Sequence, residues 1–388
     1  MTISQFCVDG SGGSVGTGVT TYYPVMGTVG SAGLTEAQAQ CACGDSYTVR
    51  NAGVRVIANT ITAASTVTFR LGGVNQSIVL SIHQSTTGVI EDTSKTVSLV
   101  SGNLIAWQLA TGSMGTSMTR GALWIQLDFA GSAGASNWLS ANKFTISQIT
   151  STTIFGIEGT LYFTSESLGQ YPVESAGTGK NARIYITTGG TRAFTVTFRV
   201  NGLNTALQIS VGIGTTGAVA DTTHQVSFAP GDLINWAVDS GGIAPGAYTS
   251  GIECETTCRD HIVQNSTQGG YQTLEGSNVA SATETDAQYT TRMSMMAHHM
   301  ALYVNGGDLS GNSMALRKNA ADALVISGTG SGLFQNRSDV ATFVSGDVLN
   351  WGSPPAVPIV WTAAEFMTVL PSLLPAQRSS QQTLLARR

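Results

Sequence analysis

The stretch Val67–Trp107, with the sequence VTFRLGGVNQSIVLSIHQSTTGVIEDTSKTVSLVSGNLIAW, recurs later in the chain. Its second copy, Val196–Trp236, reads VTFRVNGLNTALQISVGIGTTGAVADTTHQVSFAPGDLINW and aligns without a gap. Nearly half of the paired positions are identical, which chance does not produce over so long a stretch. The chain therefore contains an internal repeat, and a repeat governs the architecture before any local pattern does.

A third, more divergent copy follows. Gly346–Trp351, with the sequence GDVLNW, repeats the Gly-to-Trp segment, and Leu316–Arg317 stands where the other copies have Phe-Arg. Each copy is preceded by one motif: a hydroxyl residue, Glu, two variable residues, a small residue, Gln, and then Cys or Tyr. The motif lies at Thr35–Cys41, Ser165–Tyr171 and Thr283–Tyr289. The repeat unit therefore spans roughly 110–130 residues, which is a whole domain and not a solenoid repeat.

Each copy reads as short strands separated by turn residues. In the first copy, Ser65–Leu71 is rich in β-branched and aromatic residues, and it breaks at Gly72-Gly73, where the second copy has the hairpin signal Asn201-Gly202. Strands at about ten-residue spacing without helical periodicity indicate an antiparallel sandwich or barrel, and about eight strands per copy favour a jelly roll. A helix is expected only near Ala363–Leu370. The predicted fold class is all-β: three tandem antiparallel jelly-roll or β-sandwich domains with short flexible termini.

The composition between the copies predicts the domain boundaries. Gly- and Ser-rich stretches indicate linkers, and the N-terminus is expected to be a flexible arm. We predict an arm at 1–20, jelly rolls at 21–130, 150–262 and 283–366, linkers at 131–149 and 263–282, and a C-terminal docking tail at 367–388. The apolar, proline-punctuated tail cannot fold alone, so it is either a disordered end or an anchor on a partner. Its candidate docking residues are Leu373, Leu374, Leu384, Leu385, Arg387 and Arg388.

Composition and charge exclude several classes of function. Charged residues make up 11% of the 388 residues, against roughly 25% in ordinary globular domains, so hydroxyl and amide groups must cover much of the surface. The net charge of −5 and the lack of a basic stripe argue against a nucleic-acid partner. No apolar run reaches the length of a membrane span. The N-terminus lacks the pattern of a signal peptide, which predicts synthesis in the cytoplasm.

The cysteines and histidines give no strong metal pattern. Cys41 and Cys43 have strand spacing and would point to the same side, and Cys254 and Cys258 form a CxxxC pair. A metal site, a disulfide and simple burial are all open for these thiols, and the spacing favours burial. The adjacent pair His298-His299 would point to opposite faces of a strand, which disfavours joint ligation. Because no nucleophile, metal or phosphate motif lies in a supporting context, we predict no catalytic residue, no metal, no cofactor and no enzyme activity.

Three positions carry the same residue in all three copies. A Glu and an Arg invite a cross-strand ion pair that fixes the register, with a ring of charges around a three-fold axis as the alternative. A Trp follows an apolar strand and is interpreted as core or inter-domain packing, with a sugar-stacking platform as the alternative. The three sets are Glu36, Glu166 and Glu284; Arg70, Arg199 and Arg317; and Trp107, Trp236 and Trp351.

Taken together, the patterns T-E-x-x-A-Q, V-T-F-R-x-N-G, T-T-G-x-x-x-D-T-x-x-x-V-S and G-D-L-I-N-W resemble tandem jelly-roll domains of bacteriophage and other microbial structural proteins. These domains are similar in outline to the trimeric jelly rolls of the tumour-necrosis-factor and complement type. The resemblance covers most of the first two copies and part of the third, and it implies no catalytic residue.

The resemblance implies a non-enzymatic virion structural protein at the virion surface. A capsid decoration (cement) or fibre-type component of a bacteriophage is expected, and a glycan-binding adhesin or receptor-binding protein is the alternative. The implied partners are other virion proteins, either major capsid or tail proteins, and a host-surface glycan is a further candidate ligand. Three copies in one chain predict either a homotrimer or an intrachain pseudo-trimer.

Overall fold

The computed structural model describes most of the chain. The described residues are 3–9, 13–26, 35–129, 138–142, 154–157, 162–163, 165–173, 176–239, 246–256, 260–263, 270–272, 283–292, 294–306, 309–353 and 360–369. They form antiparallel sheets and three one-turn helices, which confirms the all-β prediction. We call the strands of one repeat copy a module: module 1 covers residues 3–129, module 2 covers 138–256 and module 3 covers 260–369.

Module 1 is a sandwich of two sheets. One sheet has the order β1-β11-β5-β8, with β2 also paired to β11 and β9 to β5; the other has the order β3-β10-β6-β7, with β4 paired to β10. The elements are β1 (Ile3–Asp9), β2 (Gly13–Gly16), β3 (Thr20–Tyr23), α1 (Glu36–Ala39), β4 (Cys41–Ala42), β5 (Tyr47–Ile61), β6 (Ser65–Leu71), β7 (Val74–Ile82), β8 (Gly88–Asp92), β9 (Val97–Leu99), β10 (Leu104–Ala110) and β11 (Gly115–Phe129).

Module 2 repeats this plan. Its two sheets have the orders β12-β21-β16-β19 and β14-β13-β20-β17-β18, with β15 paired to β20. The elements are β12 (Trp138–Asn142), β13 (Ile154–Phe155), β14 (Tyr162–Phe163), α2 (Glu166–Gly169), β15 (Tyr171–Pro172), β16 (Gly177–Thr188), β17 (Phe194–Val200), β18 (Leu203–Val211), β19 (Gly217–Phe228), β20 (Leu233–Asp239) and β21 (Tyr248–Thr256).

Module 3 also has two sheets, with the orders β22-β30-β25-β28 and β23-β29-β26-β27, and β24 paired to β29. The elements are β22 (Asp260–Val263), β23 (Gly270–Gln272), α3 (Glu284–Ala287), β24 (Tyr289–Thr290), β25 (Met295–Gly306), β26 (Ser313–Lys318), β27 (Ala321–Ser327), β28 (Gly332–Phe343), β29 (Val348–Ser353) and β30 (Val360–Val369). The first strand of each module pairs with its last, so each copy is tied together by its two ends.

Several predicted boundaries differ from the strand pattern. The expected flexible arm contains β1 and β2, which both pair with β11. The expected linkers contain β12, which pairs with β21, and β23, which pairs with β29. Residues 260–262, assigned to the second jelly roll, belong to β22 and pair with β30 of module 3. Pairing with distant strands gives these short polar segments their structure, and local composition does not reveal such partners.

The predicted helix near Ala363–Leu370 is wrong. Residues Val360–Val369 form strand β30, which pairs with β25 on one side and β22 on the other. The Ala-rich sequence has a helical propensity, but a place between two strands supplies backbone hydrogen bonds that outweigh this weak preference. The helices that do form are the one-turn segments α1, α2 and α3, which lie at the repeated Glu motif.

The hairpin after the VTFR segment has the turn chemistry that the sequence predicts. Gly72 and Gly73 have φ values of 56° and 83°, and Asn201 and Gly202 have values of 52° and 76°. Two successive positive φ angles are those of a type I′ turn, which matches the twist of the paired strands and favours Asn-Gly or Gly-Gly. The turn therefore sets the register of β6 with β7 and of β17 with β18.

The three repeated tryptophans lie in the module cores. Trp107, Trp236 and Trp351 each have 0% of their surface exposed, so none of them can stack on a sugar. Trp107 makes an edge contact with Phe69 at 5.5 Å between ring centroids, and Trp236 repeats this contact with Phe198 at 5.1 Å. The core-packing interpretation is confirmed, and the sugar-platform alternative is wrong.

A buried ion pair fixes the N-terminal strand of module 1. Asp9 on β1 and Arg120 on β11 are 0% and 1% exposed, and the Arg120 Nη2 donates to the Asp9 Oδ2 at 2.6 Å. The guanidinium carbon lies 3.7 Å from the centroid of the Tyr23 ring, which adds a cation–π contact. Burial alone would lower the pKa of Arg120, but the charges of Asp9 and Tyr23 and the hydrogen bonds to both side chains together outweigh burial and raise the pKa. Each of the two buried charges therefore needs the other as its counter-charge.

We predict that Asp9→Ala lowers the free energy of unfolding of the chain by about 3–5 kcal/mol, because it leaves Arg120 buried without its counter-charge. Denaturant unfolding followed by tryptophan fluorescence measures the change. Lys95→Ala, which removes an exposed charge, is the control. The double variant Asp9→Leu/Arg120→Met should recover much of the loss, since it removes both buried charges. Equal midpoints for Asp9→Ala and the unmodified protein would show that the pair does not stabilise the fold.

Candidate functional site: the Glu–Arg clamps and the covered sheet face

The repeated Glu lies on the one-turn helix that directly precedes the short strand β4, β15 or β24 of each module's second sheet. In module 1 the helix begins after Thr35, whose backbone N–H donates to the Gln38 side-chain oxygen at 2.8 Å. This is half of a capping box, and it orients the first turn of the helix. Glu36 is the first residue of α1 and therefore projects toward the neighbouring strand β6, where Arg70 lies.

Glu36 and Arg70 form a two-pronged ion pair. The Arg70 Nε donates to Glu36 Oε1 at 2.6 Å, and the Arg70 Nη2 donates to Glu36 Oε2 at 2.8 Å. The same guanidinium also donates to the Asn75 side chain and to the Gly73 carbonyl of the β6–β7 hairpin. The hydrogen bonds to Glu36 raise the pKa of Arg70. We call this set of Glu, Arg and hairpin acceptors the Glu–Arg clamp, because it joins helix, strand and turn.

Modules 2 and 3 contain the same clamp. Arg199 donates to Glu166 at 2.6 and 3.0 Å, and Arg317 donates to Glu284 at 2.7 and 3.3 Å. In each case the guanidinium also binds the following hairpin. The hairpin acceptors are Asn204 and the Gly202 carbonyl in module 2, and Asp322 and the Ala320 carbonyl in module 3.

The clamp differs from the sequence prediction in one respect. The pairing of Glu with Arg is confirmed, but the Glu lies on a one-turn helix, so the expected cross-strand geometry is wrong. Each Glu binds the Arg of its own module, so the six residues do not form the alternative ring around a shared axis. Each guanidinium directs these donors to acceptors within its own module, so the clamp joins helix, strand and hairpin of one module.

We predict that Glu166→Ala destabilises module 2 by about 1–3 kcal/mol, because Arg199 loses two charge-assisted hydrogen bonds while it stays partly buried. Hydrogen exchange measured peptide by peptide should show faster exchange in residues 194–211. The equivalent hairpin of module 1, residues 65–82, is the internal control, and Glu36→Ala should reverse the pattern. Unchanged exchange and unchanged thermal unfolding of Glu166→Ala would contradict a stabilising role for the clamp.

A second repeated polar position shows how a carboxylate and an amide replace one another. Asp221 in module 2 accepts hydrogen bonds from the backbone N–H groups of Gln208 and Thr223, each at 3.0 Å. Asn336 occupies this position in module 3, and its Nδ2 donates to the Val325 carbonyl at 2.8 Å. The carboxylate therefore binds a backbone donor of β18, and the amide binds a backbone acceptor of β27.

The hydrogen bonds at Asp221 set its ionisation. Burial would raise the pKa of this carboxyl group, but the backbone hydrogen bonds from Gln208 and Thr223, together with those from the side chain and backbone of His224, outweigh it and lower the pKa from 3.8 to about 2. His224 Nδ1 lies 2.9 Å from the same carboxylate. A carboxyl group with a lowered folded-state pKa stabilises the protein above its unfolded-state pKa, and this stabilisation is lost as the pH falls through the folded-state value.

We predict that Asp221→Asn lowers the free energy of unfolding by about 2 kcal/mol at neutral pH, and that the difference shrinks as the pH falls from about 5 towards 2. Denaturant unfolding over this pH range measures it. The reciprocal variant Asn336→Asp is the control: its carboxylate would face the Val325 carbonyl, so its cost should be relieved by acid. A difference between Asp221→Asn and the unmodified chain that stays constant from pH 7 to pH 3 would contradict this account.

The outer face of the first sheet of module 1 is covered. Along β11, Leu123, Ile125 and Leu127 point into the module 1 core, while Ala122 and Trp124 belong to the core cluster of module 3. Beyond them, Gln126 and Asp128 on the same strand are 0% and 8% exposed. An antiparallel sheet of a sandwich usually leaves one face to water. Here one chain buries both faces of β11.

Trp124 reaches module 3 because its neighbour is a glycine. Gly53 lies opposite Trp124 in the pairing of β5 with β11, and a Cβ atom at Gly53 would lie 2.2 Å from the indole ring. The ring therefore lies flat against the sheet. It packs in one cluster with Tyr289 of β24, and α3 also contacts β11.

Two polar contacts also join modules. Arg292, just after β24 of module 3, donates to Glu91 on β8 of module 1, with Nε at 3.1 Å from Oε1. Arg183 on β16 of module 2 is 8% exposed and donates from Nη1 to the Gln40 carbonyl of module 1 at 3.3 Å. In both cases a residue on the outer sheet face of one module meets the segment at the one-turn helix of another.

The remaining candidate residues give no site in the described part of the chain. Cys41 and Cys43 both lie in the module 1 core, as their spacing predicts, and Cys254 is buried in module 2. Cys258 and the docking candidates at 373–388 lie outside the described residues. His298-His299 lie in strand β25. Among the residues described, no three His, Cys, Asp or Glu side chains are grouped to hold a metal, and no helix is long and apolar enough to cross a membrane.

The sequence alone did not reveal the residues between modules. Gly53, Arg183 and Ala301 occupy one repeat position, which the registers of β5, β16 and β25 show, yet they share no chemistry. The search for shared residues therefore passed over them. The Asp9–Arg120 pair was missed for the same reason, since its Asp lies in a stretch that composition assigned to a flexible arm. The available signal was a position that differs in every copy within an otherwise similar strand.

Comparison with known proteins adds little. No protein-family model matches the chain, and no curated protein matches it. Among solved structures, the dimeric latent form of PorU from Porphyromonas gingivalis aligns with 83% of this chain at 9% identity and a TM-score of 0.20. The alignment spans 33% of that chain, about a third of its length. A similarity of this size carries no argument about the role of the present chain.

Proposed function

We propose that the protein is a non-enzymatic structural component of a virion surface, of the capsid decoration or fibre type, in a bacteriophage. The sequence resemblance to tandem jelly-roll structural proteins supports this proposal, and so does the charge-poor composition. The described structure adds the way in which the scarce charges are used. Several of them form ion pairs, both within modules and between modules 1 and 3.

The Glu–Arg clamp is the observation that carries the proposal. It occurs in all three modules, and in each it binds the helix, the strand and the hairpin at once. Charge-assisted, two-pronged pairs add geometric rigidity as well as energy. A chain that places its repeated charged residues in such joints is built to hold a shape, which is what a surface component of a particle must do.

The glycan-binding alternative receives no comparable support. Its strongest candidate residues were the three repeated tryptophans, and these side chains are fully buried in the module cores. Under the structural proposal, the partners are a major capsid or tail protein, reached through the C-terminal tail. The localisation is the virion surface after synthesis in the host cytoplasm.

We predict that the protein remains with particles purified from the source culture through a density gradient. Quantitative mass spectrometry should give a fixed ratio of this chain to the major capsid protein. Recovery only in the soluble fraction, with none in the particle band, would contradict a virion role. Binding to immobilised glycans by soluble protein that is absent from particles would favour the adhesin alternative.

The docking tail has a matched test. Leu384→Ser/Leu385→Ser should reduce binding of the full chain to particles that lack it, because it removes two apolar anchors. Gln381→Ser/Gln382→Ser, next to them in sequence, should leave binding unchanged. Equal binding of both double variants would show that the tail is not the anchor, while particle association itself would still support the structural role.

A further inference from the structure

We infer that the chain closes on itself as a ring of three modules, in which the outer sheet face of module 3 packs against the helix edge of module 2. We define the helix edge as the one-turn helix and the short strand after it. The sheet face is the outer surface of the sheet that contains β5 and β11 in module 1, or their equivalents. This inference stands on contacts between modules and does not depend on the proposed virion role.

The first step is the burial of both faces of β11. Gln126 and Asp128 on this strand are also buried. The Asn51 Nδ2 donates to Gln126 Oε1 at 2.7 Å, and the Gln126 Nε2 donates to Asp128 Oδ1 at 2.6 Å. A single chain produces this burial. The part of this sheet face that Ala122 and Trp124 form is covered by module 3 of the same chain.

The second step is that the contacts between modules share one direction. The sheet face of module 1 meets the helix edge of module 3, through Trp124 with Tyr289 and through Glu91 with Arg292. The sheet face of module 2 meets the helix edge of module 1, through Arg183 and the Gln40 carbonyl. In both contacts the sheet face of one module meets the helix edge of another, which is a head-to-tail arrangement. Module 2 packs on module 1, and module 1 packs on module 3.

Head-to-tail contacts between equivalent units either close a ring or continue as an open array. With 2 on 1 and 1 on 3, the sheet face of module 3 and the helix edge of module 2 are the two surfaces left to meet. The registers place Ala301 of module 3 at the position of Gly53 and Arg183. Gln170 of module 2 follows α2 as Gln40 follows α1. Ala301 and Gln170 therefore mark the third contact.

The contacts are chemically different, which makes the order unique. Module 1 presents an indole over a glycine, and module 2 presents an arginine to a backbone carbonyl. Module 3 has an alanine at this position, opposite Glu365 in the register of β25 with β30. Unlike interfaces disfavour the wrong pairings, including exchange of modules between chains. The partner of each sheet face is thus a defined module of the same chain.

Thiol cross-linking of the full chain tests the closure. The pair Gln170→Cys/Ala301→Cys is treated with a short bismaleimide in a Cys258→Ser background. The buried Cys7, Cys41, Cys43 and Cys254 are shielded from reagent in the folded protein. Glu91→Cys/Arg292→Cys, at the partly exposed contact between modules 1 and 3, is the positive control. Gln40→Cys/Ala301→Cys has the same residue types in the wrong order and is the negative control.

We expect intramolecular cross-links in the test pair and the positive control, a much lower yield in the negative control, and the mass of a single 40.2 kDa chain by light scattering. Mixing chains with and without heavy isotopes distinguishes links within a chain from links between chains. Failure of the test pair while the positive control reacts, links between chains, or equal yield in the negative control would each overturn the closure. Particle binding is measured separately, so failure of the ring leaves the proposed function to its own test.

Discussion

The two-sided burial of strand β11 is the constraint on which the arrangement of the chain depends. A jelly-roll module can satisfy its own core with one face of each sheet, and water can cover the other face. In module 1 the odd-numbered residues Leu123, Ile125 and Leu127 fill the module's own core, and the even-numbered Ala122 and Trp124 join the core of module 3. The period of two in a strand lets one segment belong to two cores at once. Modules 1 and 3 therefore share core residues and are not structurally independent.

The Glu–Arg clamp fixes the segment of each module on which a neighbouring module can pack. A one-turn helix is too short to be stable by itself, since helix nucleation is costly. Two hydrogen bonds from Arg70 hold α1 against β6, and the remaining donors of the same guanidinium hold the hairpin. The segment after α1 is thereby fixed, and that segment includes Gln40, whose carbonyl receives Arg183 of module 2. The clamp inside a module thus positions the surface that a neighbouring module binds.

The fold class could be predicted from the sequence because repetition and alternation are local signals. The VTFR strand, its Asn-Gly turn and the buried Trp all follow from residues within one segment. Strands β1 and β30 were not predicted, because each pairs with the opposite end of its module. β1 stands directly before the Gly- and Ser-rich residues 10–18, which favoured a flexible arm, and β30 contains Ala363 and Ala364, which favoured a helix. The Glu–Arg pair was predicted from recurrence, but its helical geometry was not, since four residues are too few to show a period.

Residues that recur in all three copies and residues that differ between the copies have separate physical roles. Glu36, Arg70 and Trp107 recur because each module must solve the same internal problem of holding a helix, a hairpin and a core. Gly53 and Arg183 differ, and each position faces a different module: the ring of Trp124 over Gly53 packs with module 3, and Arg183 binds the Gln40 carbonyl of module 1. Head-to-tail contacts between identical units can extend into open arrays. Contacts of unlike chemistry at one repeat position disfavour the wrong pairings. The dissimilarity of the copies is therefore part of what defines the structure, in the same way as their similarity.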